Sequence, residues 1–137
     1  MKSFFGLDLG SKTIGIAISL SGVIAQTYHT IRFKEDDYND ALNQLVPLIR
    51  AENISHIIIG LPKHMNNDLG VRGEITVKFA HQLKEKTNQE VILWDERLST
   101  KTALKTMQGS SSKTRKQKKD ELAAVLILQN YLDSIQK

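Results

Sequence analysis

The chain has 137 residues, 19 basic and 15 acidic side chains, a formal net charge of +4 and no cysteine. That length predicts a single domain over residues 1–137 with a core of its own. The lack of cysteine excludes a disulfide framework and thiolate zinc or iron–sulfur sites, and it fits a reducing, cytoplasmic setting.

No apolar run approaches the roughly 20 residues of a membrane span, and a carboxylate at position 8 interrupts any leader-like start. Residues 3–9 read as a short strand, Gly10-Ser11-Lys12 as a turn, and residues 13–20 as a second strand joined tightly enough to make a hairpin. A third, more exposed strand is expected within 23–33. The pattern then becomes helical over 38–52, with Tyr38, Ala41, Leu42, Leu45, Leu48 and Ile49 at helical spacing. Pro47 falls inside that run and predicts a kink or an early end. Residues 55–60 form a β-branched run typical of a buried parallel strand. Residues 61–73 read as loop, 74–87 as helix, 91–94 as a second buried strand, and 99–107 as a short helix. A basic loop follows, and Leu122–Leu128, seven apolar residues in a row, reads as a helix buried on most sides. Three antiparallel strands followed by right-handed crossovers predict an α/β fold, with one mixed five-stranded sheet and helices on both faces.

Charge is concentrated. Residues 113–119 hold Lys113, Arg115, Lys116, Lys118 and Lys119, and removing these five from the 19 leaves 14 basic against 15 acidic side chains. From Arg97 to Lys119 there is no acidic residue. Such a strip is either a solvated segment or a contact for a phosphate-rich polymer.

Three carboxylates sit in poor places for charge. Asp8 lies in an apolar strand between Leu7 and Leu9, where an unpartnered charge is costly; the competing reading is a turn-forming Asp before Gly10. Glu96 follows Val91-Ile92-Leu93-Trp94-Asp95, at the strand end where open α/β sheets place their ligands. It could equally begin a loop, paired with Arg97. Asp120 opens the most apolar helix, where it suits an N-cap; yet Ala124, Ile127 and Tyr131 continue a stripe from it, which points it toward the core. Convergence of the three would call for a hard divalent cation, Mg²⁺ with carboxylate and water ligands, of the kind that serves phosphodiester cleavage.

The chain resembles the YqgF/RuvX family of Holliday junction resolvase-like proteins and pre-16S rRNA nucleases. The resemblance is carried by Gly6-Leu7-Asp8-Leu9-Gly10-Ser11-Lys12-Thr13-Ile14-Gly15-Ile16-Ala17 and by Ile59-Gly60-Leu61-Pro62. It continues in Asp95-Glu96-Arg97-Leu98-Ser99-Thr100 with Ala103, and in Lys119-Asp120 with Leu122–Gln129. It implies an RNase H-like fold. It also implies that Asp8, Glu96 and Asp120 are catalytic acids binding Mg²⁺ or Mn²⁺, and that the chain matures the 5′ end of 16S rRNA, with precursor ribosomal RNA or ribosomal particles as partners. Branched DNA is the alternative substrate, and a non-catalytic RNA-binding module on the same fold is the alternative role. Substrate contacts are expected at Lys12, Arg97, Lys113, Arg115, Lys116, Lys118 and Lys119. Two departures stand out: Thr13 replaces the family's usual arginine, and Lys63-His64-Met65-Asn66-Asn67-Asp68 replaces its usual Asn-Met-Asp-Gly loop.

The first motif also resembles the phosphate-binding hairpin of actin-like and sugar-kinase ATPases. Those proteins need a second lobe, for which this length leaves no room. His29, His56, His64 and His81 show no metal-ligand spacing, and Trp94 reads as core rather than as a base-stacking platform.

Overall fold

A computed structural model describes residues 2–62, 70–96 and 112–136, with 112–118 described by backbone alone. The strands β1 (Phe4–Leu9), β2 (Thr13–Ser19) and β3 (Gln26–Arg32) are followed by α1 (Tyr38–Ala51), β4 (His56–Leu61), α2 (Gly70–Thr87), β5 (Glu90–Asp95) and α3 (Ser112–Ile135). The strands form one sheet in the order β3-β2-β1-β4-β5. β1 and β2 are antiparallel, as are β2 and β3, while β1, β4 and β5 are parallel. This is the expected mixed sheet.

The period-2 alternation of the strands sorts their side chains onto two faces. Phe5, Leu7 and Leu9 of β1 join Ile14, Ile16, Ile57 and Ile59 under α1 and α2, against Leu42, Leu45, Phe79 and Leu83. The other face carries Phe4, Ala17 and Ile58, covered by Ala124, Ile127, Leu128 and Leu132 of α3. Small residues on this second face let α3 lie close. A Cβ on Gly6 would stand 2.6 Å from Leu128 Cβ and 2.9 Å from the Ala124 carbonyl oxygen. Trp94 joins this cluster, edge-on to Tyr131 with ring centroids 5.6 Å apart, as a core residue does.

Helix α1 starts at an Asp37 cap, whose carboxylate accepts from the Asp40 backbone N–H at 3.2 Å. It does not end early at Pro47, which faces solvent, because Ala41, Leu42, Leu45, Val46 and Ile49 form a continuous buried stripe that holds it to Ala51.

Four expectations need correction. β5 is half-buried rather than buried, because it is the edge strand and only β4 flanks it. α2 begins at Gly70, four residues before the expected start. The basic segment is not a loop from 112 onward: Ser112–Lys119 is the first part of α3, consistent with the good helix propensity of its Lys, Arg and Gln residues. Asp120 therefore lies inside a helix and caps nothing. Finally, α3 is fully buried along one stripe only, with Leu122, Ala123, Val125 and Leu126 half-buried. The short helix expected at 99–107 lies outside the described residues, as do Arg97 and His64.

Candidate active site

The site lies where the parallel strands end. Asp8 is the penultimate residue of β1, and alternation places it on the α3 face with Phe4 and Gly6. Its direct partner across the β1–β2 ladder is Gly15. On the other side, β1 and β4 pair Leu7 with Ile59, so one further step sets Asp8 level with Gly60. Asp8 thus stands between two glycines, with no neighbouring side chain on either strand to fill the space beside it.

Each glycine gives room to another carboxylate residue. Asp120 packs over Gly15: a Cβ there would run into the Asp120 carbonyl and stand 2.9 Å from its Cβ. Glu96 follows β5 and keeps the phase of Ile92 and Trp94, so it too belongs to the α3 face. Its side chain folds back over Gly60, where an added Cβ would meet Glu96 Oε1 at 2.6 Å and Ile127 Cδ1 at 2.5 Å. The register pairs Gly60 with Trp94, two residues before Glu96, which gives the Glu96 chain the reach to return toward Asp8.

The electrostatics follow from this crowding. Burial, and then the Asp120 charge, raise the Asp8 pKa to about 6, while Arg72 and Lys119 pull it down. Burial, then Asp8 and Asp95, raise Glu96 to about 7. Desolvation and like charge disfavour both ionised forms. Among the described residues no hydrogen bond or close ion pair reaches either carboxylate, so neither is satisfied by a neighbouring side chain there.

Three hard oxygen donors, with Asp8 and Glu96 raised in proton affinity, fit a hard divalent cation, whose charge would reverse the repulsion. Among the described residues no three acidic or histidine side chains are drawn close enough to enclose an ion.

The other expected contacts divide. Lys12 occupies the turn between β1 and β2 at the same end of the sheet and is exposed. It is not among the charges that act on Asp8; Lys119 is. Lys113, Arg115, Lys116 and Lys118 lie on the first two turns of α3, leading into Asp120. Two residues escape a reading of the sequence. Arg72, in the first turn of α2, donates to the Leu9 carbonyl at 3.3 Å and to Tyr38 Oη at 3.1 Å, and its charge acts on Asp8. Thr30 of β3 donates to Glu121 at 2.8 Å, next to Asp120. Neither stands out from a solvated charged helix or an exposed strand in sequence.

A family model described as RuvX, Holliday junction resolvase, matches residues 2–134. A Staphylococcus haemolyticus protein named "Putative pre-16S rRNA nuclease" is 47% identical over 135 residues, covering 96% of this chain and 95% of its own. A protein of the same name from Aster yellows witches'-broom phytoplasma is 49% identical over 133 residues, covering 95% and 88%. Among solved structures, T. thermophilus RuvC in complex with a Holliday junction substrate superimposes with a TM-score of 0.69 at 9% identity, covering 99% of this chain and 96% of that one. At that identity the likeness is one of fold, and the fold is RNase H-like.

Proposed function

The chain belongs to the RuvX family, and from that premise we propose that it is a metal-dependent nuclease in a single domain, hydrolysing phosphodiester bonds at the 5′ end of pre-16S rRNA in the cytoplasm. The observation that carries this reading is the placement of Asp120 and Glu96 on the glycines either side of Asp8. Asp8, Glu96 and Asp120 would hold Mg²⁺ or Mn²⁺, which when bound supplies Lewis-acid polarisation of the phosphate and a water of lowered pKa. Asp8, central and half-buried, would be the ligand that stands between the other two acids. Glu96, folded back over Gly60, would complete the ligand set from the β4 flank. The basic first turns of α3 hold the polyanionic strand alongside. No covalent enzyme intermediate is required.

The test is cleavage of a structured precursor RNA in Mg²⁺ and in Mn²⁺ by the wild type and by Asp8→Asn. The variant should lose more than the roughly 10–100-fold that outer-sphere partners of a metal typically cost, while remaining folded. If the wild type leaves the RNA uncut in both metals, the nuclease reading fails for that substrate. The family's description as a Holliday junction resolvase favours a second substrate, so a four-way DNA junction belongs in the same assay. Binding of either nucleic acid without cleavage would turn the protein into a binding module on this fold.

A further inference from the structure

We propose that Arg72 is a phosphate ligand of this site, gripping a substrate phosphate at the strand ends beside Asp8. The proposal rests on the nuclease reading and deepens it.

Arg72 comes from the layer opposite α3. Helix α2 packs through Phe79, Ala80 and Leu83 on the face that Asp8 does not use. Yet the Arg72 guanidinium passes around the end of β1 to the Leu9 carbonyl, one residue beyond Asp8. It is held there by Tyr38, which is itself fixed: Tyr38 Oη donates to Asp36 at 3.3 Å, and its ring packs 5.8 Å from Phe33 and 6.4 Å from Phe79. A half-buried arginine with two oxygen partners on the protein is a preorganised fork.

Its placement argues for a ligand. Arg72 acts on Asp8 without closing an ion pair with it, so its charge is not spent on neutralising that carboxylate. Its two bonds among the described residues go to a carbonyl and a phenol, both neutral, while a guanidinium carries five N–H donors. Lys119 acts on Asp8 from α3. The two cations therefore act on Asp8 from opposite layers of the fold, an arrangement that suits a phosphodiester strand lying across the ends of the parallel strands. A planar fork suits bidentate contact with phosphate oxygens, which an ammonium cannot reproduce.

The experiment measures binding of a fluorescein-labelled RNA hairpin with a single-stranded 5′ extension. It is run in Ca²⁺ across a salt series, alongside thermal unfolding and single-turnover cleavage in Mn²⁺. Arg72→Gln should weaken binding and lower the salt slope by about 0.7–0.9, because one phosphate is no longer neutralised. Arg72→Lys should restore the slope but not the full affinity or cleavage rate. Tyr38→Phe, which keeps the ring and removes the tether, should retain the slope and lose affinity. A fall in melting temperature with an unchanged salt slope in Arg72→Gln makes the residue a structural strut and overturns the assignment. Asp8→Asn separates the two levels: if it binds like wild type and does not cleave, the nuclease reading holds whatever Arg72 does. A wild type that neither binds nor cleaves the hairpin removes both.

Discussion

Gly15 stands directly across the β1–β2 ladder from Asp8, and the backbone of Asp120 lies on top of it. The third acid is therefore brought to the first by the absence of a side chain on a strand that carries no acid of its own. Gly60 plays the same part for Glu96 on the other flank.

The two glycines should differ when replaced. In Gly15→Ala the new methyl meets backbone, which cannot swing aside, so α3 must lift off the sheet. The expected loss is about 1–3 kcal/mol of stability, together with nuclease activity. In Gly60→Ala the methyl meets the ends of the Glu96 and Ile127 side chains, which can rotate. Stability should change little while activity falls, because Glu96 is pushed from Asp8. Chemical denaturation beside a cleavage assay reads both. Equal stability losses in the two variants would contradict the packing described.

The raised carboxylate pKa values set a pH dependence for the metal-free protein. Asp8 near 6 and Glu96 near 7 bind protons more tightly in the folded chain than their ordinary values of 3.8 and 4.5 allow in the unfolded one. Wherever the native state holds more protons, stability falls as pH rises. The loss should begin above pH 4 and be complete once pH passes about 7. Asp8→Asn should flatten this fall and leave the variant more stable than wild type at pH 8. Melting curves from pH 4 to 9 in a chelating buffer check it, and Mg²⁺ added at pH 8 should recover stability in the wild type alone.

Much of this site was legible in the sequence, and the reasons are local. Asp8 betrays itself as a carboxylate in an apolar strand, and Glu96 as one just past another, so each violates burial patterning by itself. Asp120 was legible only as part of a stripe. Its expected role as a cap follows from a basic loop running up to it, whereas the basic residues carry the helix back to Ser112. Strand order is another matter. The half-burial of β5 follows from its edge position, which its own six residues do not encode. Arg72 and Thr30 were illegible because their partners, Leu9 and Tyr38 for one and Glu121 for the other, are 34 to 91 residues away in the chain.

Thr30 offers a test of how Asp120 is held. Its hydroxyl donates to Glu121, fixing the rotation of α3 where the helix crosses β2 and β3. Thr30→Val keeps the shape and removes the donor, leaving a half-buried Glu121 carboxylate unpaired at this bond. A stability loss of about 1–2 kcal/mol is expected, with a several-fold loss of cleavage through displacement of Asp120. A Thr30→Ser variant, which keeps the hydroxyl, should recover most of the cleavage.

Gln129 anchors the far end of the same helix. Its Oε1 accepts from the Ala25 backbone N–H at 2.8 Å, and its Nε2 donates to the Val23 carbonyl at 2.8 Å and to Asp133 at 3.0 Å. These bonds tie α3 to the loop between β2 and β3, at the end of the sheet away from Asp8. Gln129→Ala leaves the partly buried Ala25 N–H without its acceptor, for an expected cost of about 1–3 kcal/mol. Because this tether lies more than two helical turns beyond Asp120, cleavage per folded molecule should stay near wild type at temperatures well below melting. Thr30→Val and Gln129→Ala therefore form a matched pair of similar thermodynamic cost. If both reduce cleavage to the same degree, overall stability governs activity; a selective loss in Thr30→Val assigns it to the rotation of α3 over Gly15.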